Sequence, residues 1–315
     1  MTEASASAPG KIVLWGEYAV LHGAPAAVMA VDRLATCQIR TADDGVWRMQ
    51  SRGFESQAEA NDLTTLLQQP GTEVLRAAIE ADFEAPAPLH ITCDSSSFYE
   101  QDRKLGIGSS AAVMVALSGA LGAIRRDPPK LADVLSAHRA LQGGVGSGLD
   151  IATSFTGGII RFQSGEVSKI TWSQALQYQF VATPQAASTP DLVGKFERWR
   201  TRSDSSSYAT LMRESEALFE EANQLSAWRR YSDALHAFDQ AADLGIYTAT
   251  HAALRDQAGT LDFVYKPCGA GGGDVGMVIA PAAESLQPFL QRATALGATP
   301  LSCRLTEQGL QVEHR

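Results

Sequence analysis

Residues 104–112, KLGIGSSAA, decide how this chain is read. Two glycines and two serines stand before residues 113–123, VMVALSGALGA, a run apolar nearly all round that predicts a buried helix over 109–123. A helix start presents free backbone N–H groups and a partial positive charge. Gly106 and Gly108 would let the main chain come close to an anion there. The stretch reads as a phosphate cradle; the plainer alternative is a tight turn with Ser109 as helix cap. A cap uses one hydroxyl, and Ser110 leaves a second for a metal-bound phosphate, since Mg²⁺ is commonly held by few protein oxygens plus phosphates.

Two generic fingerprints fail on context. Residues 106–111 match GxGxxA and residues 271–276 match GxGxxG, but a dinucleotide fold needs a strand just before and a helix just after. The first follows a polar segment and the second runs into VGMVIA, a predicted strand. No GxxxxGK[ST] occurs, so the P-loop reading fails as well.

Two further glycine loops lie far along the chain, GGVGSGLD (143–150) and GAGGGD (269–274). Asp150 is either a turn or cap carboxylate, or a carboxylate aimed at a nucleophile or a cation. Lys11, in PGK, is either a solvated lysine at a strand entrance or an ammonium offsetting charge on a transferring phosphoryl group. Four glycines within residues 269–273 carry an entropic cost that a plain hairpin does not require, so close approach to a ligand is expected there. Cys268 reads as a small packing residue.

Composition bounds the possibilities. The 315 residues are 45% hydrophobic and 19% charged, enough for a sizeable core and two domains. With 26 basic against 35 acidic side chains the net charge is −9, which argues against nucleic acid or anionic lipid as partner. Four dispersed cysteines without CxxC, and six histidines without HExxH, argue against a disulfide framework or zinc site and for a reducing compartment. No signal-peptide pattern and no 18-residue apolar run are evident, so a cytoplasmic protein is expected.

Periodicity predicts strands at 12–15, 26–31, 34–40, 89–93, 159–162, 178–183, 261–265, 276–280 and 311–313. Helices are predicted at 63–83, 131–141, 208–244 with a break near Ser226, 249–257 and 288–296, and from Asp150 toward the glycines at 157–158. Residues 41–62 read as hairpin and loop, and 202–207 as a surface loop. A domain boundary is expected near Gly165, giving domains 1–165 and 166–315. The uneven order of elements predicts an α+β fold.

In order, APGKIVLWGEYAVLHG (8–23), KLGIGSSAA (104–112), GSGLDIATSFTGG (146–158) and KPCGAGGGDVG (266–276) resemble the motif set of the GHMP kinases, over nearly the whole chain. The resemblance implies a two-domain fold: an N-terminal domain like the second domain of ribosomal protein S5 and a C-terminal ferredoxin-like α/β sandwich. It implies direct γ-phosphoryl transfer from ATP with Mg²⁺ to a phosphorylated or hydroxy-acid small molecule, and allows a homodimer. Lys11 and Asp150 become the catalytic pair, and Ser110 the Mg²⁺ ligand. Lys104, Gly106, Ile107, Gly108, Ser109, Ser110 and Ala111 would bind ATP. Glu17, Tyr18, His22, Ser147, Gly148, Ser188, Gly271, Gly272 and Gly273 would bind the acceptor.

Within the family, GEYAVL, AVDR (30–33), AHRALQGGVGSGLD (137–150), ASTPDLVGK (187–195) and KPCGAGGGD are similar to the phosphomevalonate branch, whereas His22-Gly23 is like the mevalonate branch. The mevalonate branch places a metal-binding glutamate eleven residues before the aspartate, where this chain has Arg139, and the phosphomevalonate branch often has a lysine where Gly144 stands. Arg33, Lys104, Arg139, Lys195 and Arg198 are candidate anion partners, each also readable as a surface charge. A kinase of 5-phosphomevalonate is the leading expectation. A mevalonate kinase, a catalytically silent nucleotide-binding regulator and an ATP-dependent decarboxylase are the alternatives.

Overall fold

Small apolar residues alternating with polar ones begin the chain: Ala4, Ala6 and Ala8 are buried within a strand whose low hydropathy conceals it in the sequence. The computed structural model describes residues 3–79, 85, 87–100, 103–144, 146–172, 175–201, 206–282 and 284–314. The chain runs β1 (Glu3–Trp15), β2 (Ala26–Thr41), β3 (Trp47–Arg52), β4 (Ser56–Ala60), α1 (Leu63–Leu66), α2 (Glu73–Ala78) and β5 (Leu89–Asp94). Then come β6 (Tyr99–Glu100), β7 (Arg103–Lys104), α3 (Ser109–Arg125), α4 (Leu131–Leu141), α5 (Leu149–Thr156), β8 (Ile159–Gln163), β9 (Glu166–Ile170) and β10 (Leu176–Ala182). It continues through α6 (Thr189–Arg200), α7 (Ser206–Glu221), α8 (Leu225–Ala242), α9 (Ala249–Gly259) and β11 (Val264–Pro267). It ends with β12 (Val275–Pro281), α10 (Gln287–Ala295), β13 (Thr299–Pro300) and β14 (Gln311–His314).

These elements pack as two compact units. The first comprises Met1–Lys11, Met29–Gly158 and Arg304–Arg315; the second comprises Ile12–Val28 and Ile159–Cys303. The sequence division at 165/166 follows the chain linearly, whereas the packing units interleave it.

The first unit is built on strands in the order β14-β1-β2-β5-β3-β4. Antiparallel β1 and β14 pair Ala4 with His314, antiparallel β2 and β5 pair Cys37 with Cys93, and parallel β3 and β5 pair Met49 with Ile91. Period-2 burial turns Ala35, Cys37 and Ile39 of β2 and Leu89, Ile91 and Cys93 of β5 into one core. The predicted helix over 109–123 is α3, two residues longer, with Met114, Val115, Leu117 and Leu121 buried. Each such side chain contributes about 1.5–3 kcal/mol.

Several expectations need correction. The helix predicted over 63–83 is two short ones, because Pro70 and Gly71 (φ 85°) turn the chain and Ile79 is extended; residues 80–83 lie outside the described set. Ser206 and Ser207 of the predicted 202–207 loop begin α7, and 202–205 lie outside the described residues. The strand predicted from residue 261 starts at Val264. Helix α6 went unpredicted although Ser188, Thr189 and Pro190 form an ordinary helix start.

The second unit has a sheet in the order β11-β12-β10-β13, with antiparallel Phe180 opposite Met277 and Tyr265 opposite Val278. Helices α9 and α10 cover a core of Val181, Leu254, Tyr265, Val278 and Phe289. Helices α7 and α8 pair with each other, broken at 222–224 as expected.

Candidate functional site

Lys11 stands within β1, and its backbone N–H donates to the Ile107 carbonyl at 2.8 Å. That bond fastens the first glycine loop to the strand. Gly108 is the N-cap of α3, left-handed at φ 84°. A Cβ built on it would lie 3.0 Å from Lys11 Cγ and 3.1 Å from Lys11 Cε. The lysine's methylene chain therefore crosses the space that any other residue at 108 would fill.

Among the described residues, no backbone amide of residues 106–111 donates a hydrogen bond, and the Lys11 ammonium has no partner. The α3 N-terminus thus offers a run of free donors beside a free cation, which is what an anion needs. Ser109 is buried and Ser110 exposed, and neither caps the helix, so the reading of Ser109 as a cap is set aside. Ile107 and Ala111 are buried side chains, able to offer backbone only, and Lys104 is exposed on β7.

Asp150 lies in the first turn of α5, after the left-handed N-cap Gly148, and its Oδ1 accepts from the Ile151 N–H at 3.0 Å. A carboxylate there is favoured by the helix dipole. Ser147 Oγ accepts from the Leu149 N–H at 3.4 Å. Helix α5 packs against α3 and α4. On α4, burial pulls the pKa of His138 below the ordinary imidazole value, while the charge of Asp150 works the other way. Arg139 beside it is exposed. Lys11, Ser110 and Asp150 all belong to the first unit.

The third glycine loop is in the second unit, and its glycines answer to neighbours in the protein. A Cβ at Gly271 would meet the Ile246 backbone carbonyl at 2.8 Å, and one at Gly273 the Gln185 carbonyl at 2.5 Å. Gly272 N–H donates to Ile246 O at 2.9 Å and Asp274 N–H to Gln185 O at 2.8 Å. The Asp239 carboxylate holds the Gly245, Ile246 and Tyr247 amides at 2.8–2.9 Å, steadying the segment on which the loop rests. His251 bonds Gly273 O at 3.0 Å through Nε2 and Tyr265 Oη at 2.8 Å through Nδ1; burial pulls its pKa down to about 4. Close packing against Ile246, Leu192 and Gln185 is thus one reason for glycine at these positions.

Glu17 and Tyr18 also turn inward. Lys266 Nζ donates to Glu17 Oε1 at 2.6 Å, with both side chains 0% exposed. Tyr231 Oη donates to Glu17 Oε2 and accepts from the Gly16 and Glu17 amides at 2.8 and 3.2 Å. Gly269 N–H reaches Glu17 Oε1 at 3.3 Å. Burial opposes the Lys266 charge, but Cys268 and Glu17 together outweigh it and raise its pKa. Tyr18 Oη donates to Ala270 O at 2.7 Å, and burial raises its pKa. His22 is half-buried between Glu197 (3.2 Å) and Arg200 (2.9 Å), and Ser188 is exposed at the start of α6.

Sequence reasoning missed Tyr231, Asp239, His251 and the role of Lys266. A signal existed for the last: a lysine inside the wholly buried strand VYKP must have a buried counterion.

No family model matches the chain. A phosphomevalonate kinase of Streptomyces sp. (strain CL190) is 28% identical over 96% of this chain and 97% of its own length. A mevalonate kinase of Thermococcus sibiricus is 27% identical over 98% of each. The solved Streptococcus pneumoniae phosphomevalonate kinase, in complex with phosphomevalonate and AMPPNP, superposes with a TM-score of 0.76 at 19% identity, over 96% of this chain and 99% of that one. The chain is a relative, over nearly its whole length, of the phosphomevalonate and mevalonate kinases, and its fold is theirs. The first glycine loop lies half-buried against Lys11, with Ser110 exposed, and the third is packed on Ile246 and Gln185 of its own unit. Among the described residues, no helix is long and apolar enough to cross a membrane, and no three His, Cys, Asp or Glu side chains group to hold a metal.

Proposed function

We propose that this kinase transfers the γ-phosphoryl group of ATP to 5-phosphomevalonate, giving the diphosphate, within the mevalonate route to isoprenoids. The observation that carries the reading is the Lys11 ammonium laid across Gly108, next to the undonated amides of residues 106–111. An arrangement of fixed donors and a cation stabilises charge on a phosphoryl group in transfer. The phosphomevalonate branch is favoured by the sequence resemblance, and by Arg139 standing where the mevalonate branch has its metal-binding glutamate.

In the proposed step an acceptor phosphate oxygen forms the new bond to Pγ while the bond from Pγ to the β,γ-bridging oxygen breaks, and ADP leaves. A phosphomonoester with second pKa near ~6 is already largely ionised, so no proton needs removing. Lys11 then offsets charge on the γ-phosphoryl oxygens, and Asp150 orients the reacting groups. The exposed Ser110 hydroxyl and the half-buried Asp150 carboxylate are hard oxygen donors that suit Mg²⁺, and two protein oxygens are enough for an ion that keeps water and phosphate ligands. Ser110 is the proposed ligand, and the bound ion would neutralise phosphate charge.

A second reading, mevalonate kinase, is supported by full-length matches at comparable identity. There the C5 hydroxyl is the nucleophile and Asp150 takes its proton. Purified protein with ATP and Mg²⁺ is offered phosphomevalonate, mevalonate, galactose and homoserine, with ADP and CO₂ followed. ADP formation with phosphomevalonate alone is expected. Turnover of mevalonate instead moves the assignment to the second reading, and no turnover with measurable nucleotide binding overturns both.

A further inference from the structure

Motif position makes Glu17 a ligand for substrate; the atoms around it make it something else. Every oxygen of its carboxylate is engaged inside the second unit: Oε1 by Lys266 Nζ at 2.6 Å and the Gly269 amide at 3.3 Å, Oε2 by the Tyr231 hydroxyl. The side chains of Glu17 and Lys266 are both 0% exposed. Lys266 and Gly269 flank Cys268 at the entrance of the third glycine loop, and Tyr18, the next residue in sequence, holds Ala270 O at 2.7 Å. The same loop is bonded at its far end by His251 to Gly273 O.

We infer that Glu17, Lys266 and Tyr231 are positioning residues that fix the conformation of residues 269–274, and that Glu17 touches neither substrate nor metal. The inference about the loop stands on the second unit alone; its kinetic consequence rests on the kinase reading above. A buried ion pair has a diagnostic asymmetry. Removing one partner strands an uncompensated charge, whereas replacing both with apolar side chains is often tolerated. A ligand role gives no such rescue, because loss of the carboxylate would be as harmful with or without Lys266.

The test is a cycle of Glu17→Met, Lys266→Met and the double variant, with Tyr231→Phe as a milder variant that keeps the ring in place. Hydrogen exchange of the amides in 269–274 is read alongside KM and kcat for the acceptor. Each single variant is expected to speed exchange in the loop about 10-fold or more and to raise KM more than it lowers kcat. The double variant is expected to recover most of both, and Tyr231→Phe to show a smaller loosening of the same amides.

Loop exchange unchanged in Tyr231→Phe and in the double variant, with activity lost wherever Glu17 is absent, would overturn the inference and restore Glu17 as a ligand. Should the single variants not fold, a folded double variant supports the pairing, and a double variant that also fails to fold overturns the claim of rescue. Loosened exchange with rescue in the double variant, but no turnover of any acceptor, leaves the anchor standing and sinks the kinase reading instead.

Discussion

Lys11 and Gly108 occupy one another's space: the lysine's Cγ and Cε lie 3.0 and 3.1 Å from where a Cβ on residue 108 would be. The glycine is needed twice over, for its left-handed φ of 84° and for the passage of the lysine. Gly108→Ala is therefore expected to lower kcat/KM by about 10²-fold or more, since a misplacement on the order of 1 Å at a reacting group has that effect. Stability should fall by only about 1–3 kcal/mol, the cost of one strained residue. Steady-state kinetics with thermal unfolding check it; a variant that folds and turns over normally would separate Lys11 from the chemistry.

Removing the ammonium itself should leave the fold intact, because Lys11 is half-buried and bonds to Ile107 only through its backbone. Lys11→Met is expected to lower kcat about 10²–10³-fold, the range seen when one charge-stabilising donor is lost. Asp150→Asn reports on the acceptor. With phosphomevalonate, already ionised, the loss should be much smaller than the about 10²–10⁴-fold expected when a base must take a hydroxyl proton. Kinetics of both variants against both acceptors give the comparison.

Ser110→Ala removes an exposed hydroxyl at the start of α3. Activity should shift toward higher Mg²⁺, with about a 10-fold rise in the concentration giving half-maximal rate, in the range lost with one supporting ligand. A Mg²⁺ titration at fixed ATP measures this. Chelation of the metal should stop turnover of the wild-type enzyme while leaving its melting temperature unchanged.

Buried His251 gives the second unit a pH signature. Its folded pKa of about 4 is below the ordinary 6.5, so between those values the unfolded chain binds the extra proton and the folded one does not. Stability from this group is complete above pH 6.5 and declines as pH falls toward 4, by up to about 3 kcal/mol. His251→Gln should lose that part of the slope. Denaturant melts of wild type and variant at pH 7, 5.5 and 4.5 give the difference, and parallel curves would show that the imidazole is not protected.

Much of the first unit could be read directly from residues. The run of α3 is apolar on every side, so only a buried helix satisfies it, and the bounds of α4 come out as predicted. The start of β1 escaped notice because its buried positions are alanines, whose small area gives little hydropathic contrast. Ser110 and Asp150 stood out as candidates because glycine loops and helix starts have local signatures, while the role expected of Lys11 came from the resemblance. The anchors of the third loop could not, since Glu17 meets Tyr231 and Lys266 only after folding brings together positions more than 200 residues apart, and His251 reaches Gly273 across 22 residues. The glycines at 271 and 273 were visible, but the approach of Ile246 and Gln185 to them was a tertiary fact.

The pairing of β14 with β1 bears on synthesis in the cell. The first unit takes its edge strand from residues 311–314, and Leu310 and Val312 stand where a side chain on Gly119 of α3 would go. A nascent chain therefore cannot finish this unit until residues 304–315 have cleared the ribosome tunnel, although the second unit already has all of its segments once Cys303 emerges. Changes within residues 304–315 accordingly bear on the unit that holds Lys11, Ser110 and Asp150, remote as they are in sequence.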